Sequence, residues 1–276
     1  MRNIFQTTCL VIGLGLLGGA ARAQSNWEQV AVPVYTPAHL MQGLHRYWTA
    51  PQSESLASEA RLLTRAVKTY CEASGASPEA NLEAVRRQWR TTATAWERLS
   101  AIAVGPLLER RSSRQIDFAP TRPALIERAI KAAPRNVDAM ERIGAPEKGF
   151  PALEWLLWTS PVASGTPACS YAVEVARDME RETEALRAAF KALAERPGAG
   201  WDDETAVTGM NEFVNQWVGG LEHLRWAEME KPVRAGAPHD FLRAASGTTA
   251  TSWAAHWEAL HALTRLSAEV APVPRK

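Results

Sequence analysis

The stretch SPEANLEAVRRQWRTTATAWERLSAIAVGP, from Ser77 to Pro106, decides the fold class. Apolar or small residues recur at Leu82, Val85, Trp89, Thr92, Trp96, Leu99 and Ala103, in alternating steps of three and four. That period lays a single stripe along an α-helix, opened by Ser77 before Pro78 and closed by Gly105-Pro106. The same period spreads outward along the chain. An earlier stripe runs through Leu56, Ala60, Leu63, Val67 and Tyr70, with Cys71 beside it. Cys169, Val173, Ala176, Met179, Thr183, Leu186, Phe190 and Leu193 mark a later one, stopped at Arg196-Pro197-Gly198. Val207, Met210, Val214, Trp217, Leu221 and Leu224 predict another helix, and Trp253, Trp257, Leu260 and Thr264 a last one. Shorter helices are expected over 37–49, 122–132, 135–143, 149–159 and 238–246. No strand or hairpin pattern interrupts the series, so the fold class is all-α, built of antiparallel helical bundles.

The first residues read as an address. Arg2, the apolar run from Cys9 through Leu17 and the small-x-small sequence Ala21-Arg22-Ala23 predict a signal peptide over residues 1–23, cut before Gln24. The chain is then expected in the periplasm. No later stretch offers the roughly 20 apolar residues that a membrane helix needs, so an integral membrane protein is not expected. Lys and Arg number 31 against 30 Asp and Glu, and losing Arg2 and Arg22 leaves an excess of one acid. Such a balance carries no electrostatic footprint for nucleic acid or an anionic membrane surface. The segment 159–168, Thr-Ser-Pro-Val-Ala-Ser-Gly-Thr-Pro-Ala, reads as a linker between an N-terminal lobe (24–160) and a C-terminal lobe (161–276). Two cysteines remain after the signal, Cys71 and Cys169. They form a disulfide or stay two separate buried thiols, and an oxidising compartment favours the bond.

Familiar catalytic signatures are missing: there is no HExxH, GxSxG, Walker-type loop or GxGxxG. His256 and His261 stand five apart, about 140° on an α-helix, so they do not share a metal easily. Lys148 to Trp158, KGFPALEWLLW, is the most informative segment. Read as a helix from Gly149, it sets Glu154 among Phe150, Leu157 and Trp158, where an unaided carboxylate is costly. An arginine or a metal ion would compensate it, and a purely structural ion pair is an equal alternative. Arg110 to Arg122 is an arginine-rich loop anchored by Ile116 and Phe118. Its guanidinium groups suit carboxylates or phosphates, or merely cover a bundle end. Most of the eleven tryptophans lie on apolar stripes, whereas Trp155 and Trp158 flank Glu154 and could wall a pocket.

Trp96-Glu97-Arg98, Gly105-Pro106, the loop with Arg114, Ile116, Phe118 and Pro120, then Gly149, Glu154 and Trp155-Leu156-Leu157, with Cys169 opening a helix after the linker, together resemble the imelysin-like family. That family groups exported bacterial proteins with a metallopeptidase and with iron-uptake components. The resemblance spans essentially the whole mature chain. It implies a two-lobed helical fold with a site between the lobes at a Gly-x-His-x-x-Glu motif. Gly149 matches the glycine and Glu154 the glutamate, but Pro151 stands at the histidine, and proline has no ligand atom.

Three functions are therefore weighed. The first is a non-catalytic binding or accessory protein for iron or another metal, as the resemblance implies, taking a metal, a metal chelate or a small anion at Glu154, Trp155, Arg114, Arg122 and Trp96. Glu154 is its expected metal ligand, and a divalent metal or iron its expected cofactor. The second is a scaffold docking a membrane-protein partner. The third is a metal-dependent peptidase with ligands outside the motif and Glu154 as base; His223, beside Glu222, is a candidate contributor to any metal site that draws on distant helices.

Overall fold

The computed structural model describes residues 36–73, 78–236 and 241–265; the signal-peptide expectation for residues 1–23 and His239 lie outside them. Every regular element among the described residues is helical. Thr36 caps α1 (Pro37–Leu44) by accepting the His39 amide, and α1 continues through a π-helical turn, His45–Thr49, into α2 (Ala50–Glu72). α3 (Pro78–Ser100) follows, then the short helices α4 (Pro106–Glu109), α5 (Ser112–Ile116), α6 (Pro123–Ala132) and α7 (Val137–Glu141). α8 (Gly149–Glu154) runs into a second π segment, Trp155–Thr159. α9 (Pro167–Ala194) is the longest helix, capped by the Thr166 hydroxyl accepting the Cys169 amide. α10 (Asp203–Glu222) is capped by Asp202 and passes into a third π segment, His223–Glu230, before α11 (Lys231–Arg234) and α12 (Thr249–Arg265).

α2 lies between α3 and α9, and α3 carries α12 on its far side. The expected stripes explain this layer. Leu56, Leu63 and Val67 of α2, Val85, Trp89, Trp96 and Leu99 of α3, and Val175, Leu186 and Phe190 of α9 are all buried in one core. Cys71 and Cys169 are joined, with Cα atoms 5.5 Å apart, locking the last turn of α2 to the first turn of α9. The 159–168 segment is strapped to the same spot. Tyr70 donates its hydroxyl proton to the Val162 carbonyl (2.6 Å), and Ser164 donates to the carbonyls of Cys71 and Ala73. α9 thus follows the linker-like segment in sequence yet packs in the same core as α2 and α3.

A second, smaller core gathers Met41 and Leu44 of α1, Ile102 and Val104, Trp201, and Leu260 and Leu263 of α12. Here the sequence periods meet a difference. In α10 the expected Val207 and Val214 are 41% and 49% exposed, while Ala206 and Gly220 are buried. A Cβ on Gly220 would lie 2.3 Å from the Ala101 carbonyl oxygen, so glycine permits the close approach. In α12 Trp257 is 52% exposed, and the buried face is Ser252, Ala255, His256, Ala259, Leu260 and Leu263. Small residues bring that face close to α3, and the tryptophan face is left outward. The segment expected to be helical over 238–246 is a series of turns where it is described, from Phe241 to Gly247. No helix among the described residues is long and apolar enough to cross a membrane.

Candidate functional site

α3 carries Glu97 one position beyond Trp96, and α12 brings His256 against the same helix. α8 delivers Glu154, and the C-cap of α5 is Asp117. Gly149 holds these last two together. It sits at φ +79°, and a Cβ there would lie 2.3 Å from the Ile116 carbonyl oxygen. A side chain at Gly149 would therefore push α8 off the Ile116–Asp117 backbone, which gives the motif glycine a physical reason.

Arg243 is the hub. It stands in the 241–247 turns at φ +63°, its side chain has no exposed surface, and its guanidinium lies over the rings of Trp89 and Phe150. Its Nη2 donates to Asp117 Oδ2 at 2.8 Å and to Glu97 Oε1 at 3.2 Å. Asp117 Oδ2 also accepts the Trp96 indole N–H at 2.7 Å. Glu154 Oε1 accepts the Ser246 amide at 2.8 Å. Three turns of chain thus close over Glu154 and supply both a donor and a nearby cation.

On the other side of Glu97 lies Glu228, brought inward by the third π segment. Its Oε1 is 3.4 Å from His223 Nε2 and 3.4 Å from His256 Nδ1, and the two imidazole rings stack 6.2 Å apart. Glu97, Glu228 and His256 each present a ligand atom within 4.8 Å of the others. Several buried polar atoms here find no hydrogen-bond partner among the described residues: Asp117 Oδ1, Glu228 Oε2, Arg243 Nε and Nη1, and both ring nitrogens of His256.

The electrostatics separate the two glutamates. Burial pushes the Glu97 carboxyl up to about 8, and the like charges of Asp117 and Glu228 add to that against the pull of Arg243. Burial alone would also raise Glu228, but the close approach of His223 and His256 and their charge outweigh it and hold Glu228 at about 2. His223 is raised in turn, chiefly by its bond to Glu228. Burial would lower Arg243, yet Asp117, Glu97 and Glu154 together raise it.

Of the residues singled out from the sequence, Glu154 and Trp96 reach this centre. Trp155 is half-buried against the main core. Arg114 and Arg122 are exposed, and the charged group set beside Glu154 is Arg243 instead. Arg110 of the same loop is committed to Glu182 on α9, with Nη2 2.7 Å from Oε2. Glu97, Asp117, Glu228, Arg243 and His256 were not singled out. Asp117 and Glu97 do sit inside quoted motifs, whereas nothing in the local pattern marks Arg243. His223 lies 3.4 Å from Glu228 Oε1, whereas its neighbour Glu222 pairs with Arg225.

The metal implied by a Gly-x-His-x-x-Glu motif does not fit its own position here. Pro151 offers no donor, and Glu154 already accepts the Ser246 amide within a guanidinium's field. The donor-rich geometry lies beside it, at Glu97, Glu228 and His256.

The peptidase family described as Imelysin matches residues 44–273. A search of curated proteins finds no match. Among solved structures, an imelysin-like protein from Psychrobacter arcticum 273-4 superposes with a TM-score of 0.66 at 19% identity, covering 90% of this chain and 80% of that one. The crystal structure of a "putative iron-regulated protein A precursor" from Parabacteroides distasonis ATCC 8503 gives 0.67 at 16% identity, covering 84% and 75%. At these identities both are likenesses of fold.

Proposed function

The chain belongs to the imelysin family, and on that premise we propose that it is an exported, non-catalytic binding protein serving the acquisition of iron or another metal. One observation carries the reading. The buried carboxylates of Glu97 and Glu228 and the part-buried Asp117 gather at one centre, where Arg243 answers only Glu97 and Asp117, and Asp117 Oδ1 and Glu228 Oε2 have no partner among the described residues. Buried charge of that kind is retained where it is compensated, and a cation is the compensation such a set accepts. The fold shared with a protein named for iron regulation supports iron as the cargo. The Arg2-to-Ala23 signal pattern and the Cys71–Cys169 bond support export to an oxidising compartment.

The lack of turnover follows from Pro151 and from Glu154. A hydrolytic metal needs an open coordination position and a base free to take a proton from water. Glu154 instead accepts the Ser246 amide and lies in the field of Arg243. Calorimetry and elemental analysis of the chain from Gln24 onward test the proposal. One bound metal ion per chain and no peptide cleavage are expected. Cleavage of a peptide that chelator abolishes would replace this reading with the peptidase one. Absence of any bound metal would leave the scaffold reading, which the outward Val207, Val214, Val218, Trp226 and Trp257 favour.

A further inference from the structure

We propose that Glu97, Glu228 and His256 are the first ligands of a divalent transition-metal ion, and that His223 is the solvent-side residue through which the ion reaches them. This deepens the binding reading above and rests on it, moving the metal from the family motif to a neighbouring set of side chains.

The spacing is the first argument. Two ligands held about 2.0–2.2 Å from one ion stand roughly 3.4 Å apart in a tetrahedral site. His256 Nδ1 and Glu228 Oε1 are 3.4 Å apart, and that pair makes no hydrogen bond of its own. The contact has the length of a coordination edge and lacks the alignment of a donor with an acceptor. Glu97 places its ligand atom within 4.8 Å of both, close enough for a small side-chain rotation to complete a triangle.

The second argument is the unspent valence of buried atoms. Glu228 and His256 have side chains 6% and 5% exposed, yet Glu228 Oε2 and both His256 nitrogens are unpaired among the described residues. Leaving such groups bare costs about 1–3 kcal/mol each, more when charged. A cation satisfies the carboxylate and the imidazole together. Arg243, bonded to Glu97 Oε1 and packed on Trp89 and Phe150, anchors the Glu97 carboxylate from behind, as outer-shell groups do around metals.

Backbone geometry is the third. His223 and Glu228 are five residues apart, which on an α-helix would point them about 140° away from each other. The segment His223–Glu230 is π-helical, and i to i+5 turns bring residues five apart to one side. This register alone puts Glu228 inward while His223, with a side chain 60% exposed, touches it from the solvent. Carboxylate oxygens with one imidazole suit Fe2+, Mn2+ or Zn2+, and disfavour the soft monovalent ions that seek thiolates.

The test is calorimetric titration of the chain from Gln24 onward with Zn2+, Mn2+ and, anaerobically, Fe2+. Wild type is expected to bind one ion. His256→Ala and Glu228→Gln should each weaken it by roughly 100-fold, and His223→Ala, as an outer group, by roughly 10-fold. Glu154→Gln should leave affinity within about threefold. Circular dichroism melts identify variants that have failed to fold, and for those the visible spectrum of Co2+ bound to wild type reads the donor set directly. A spectrum without nitrogen ligation overturns the assignment. Binding lost in Glu154→Gln but kept in His256→Ala also overturns it while leaving the binding function standing. No ion bound by wild type removes both.

Discussion

The disulfide-bonded layer of α2, α3 and α9 and the edge formed by α10, its π-helical continuation and α12 are written in the same alphabet, tryptophans and leucines at helical spacing. In the first, Trp89 and Trp96 are 0% and 1% exposed; at the second, Trp226 and Trp257 are 45% and 52% exposed. The stripe predicts a helix in both places, but only in the first does it predict the buried face. In α12 the face turned to α3 is the one with Ser252, Ala255, Ala259 and His256. There the chain brings an imidazole to two carboxylates and leaves aromatic surface outward. Apolar area is worth about 25 cal/mol per Å², so the arrangement forgoes real stability, and a polar centre occupies the contact instead.

Four measurements can break or sharpen this contrast. Replacing Cys71 and Cys169 by serine should cost about 4–5 kcal/mol in urea unfolding, because the bond spans 98 residues and restricts the unfolded chain. A loss below about 1 kcal/mol would mean that packing alone holds the first layer. Arg243→Met should cost about 3–5 kcal/mol by leaving Asp117 and Glu97 without the guanidinium they share, and an unchanged unfolding midpoint would contradict the hub role.

The third concerns pH. Burial, aided by Arg196, lowers His45 from 6.5 to about 4 in the folded chain. Between those values the unfolded chain takes up the proton that the folded chain refuses, so stability is full above 6.5 and falls toward pH 4. The loss should approach about 3 kcal/mol, and it should be absent from His45→Gln, so that the difference between the two profiles isolates it. A flat profile in that window would place His45 in contact with water. The smallest effect is at the edge: Trp257→Ser should stay within about 0.5 kcal/mol, against about 3–5 kcal/mol for Trp89→Ala, as read by thermal melts. A costly Trp257→Ser would mean that its stacking on His261 matters to the fold.

Helix positions were legible because burial and period coincide in α2, α3 and α9, where the stripes named from sequence are buried with only the ends of α3 and α9 half-exposed. Glu154 was legible because a lone carboxylate in an apolar helix demands a partner. The partner was not. Arg243 lies in turns that carry no period, 146 residues from Glu97. Glu228 was hidden for a different reason: any reading at 3.6 residues per turn sends it away from His223, and only the π register reverses that. His256 was weighed only against His261, from which it diverges on the helix, whereas the carboxylates it meets, Glu97 and Glu228, lie on other elements.

The distance between Arg243 and its carboxylates along the chain also has a meaning in time. Synthesis proceeds from the N-terminus, so Glu97, Asp117 and Glu154 are made well before Arg243, and His256 is made later still. The three helices of the disulfide-bonded layer are all made by Ala194. The ionic hub waits for Arg243 and then His256. A chain cut short before residue 243 would lack the guanidinium that Glu97 and Asp117 share and the Ser246 amide that Glu154 accepts. The centre therefore closes late, its Glu97 carboxylate waiting 146 residues for the guanidinium that answers it.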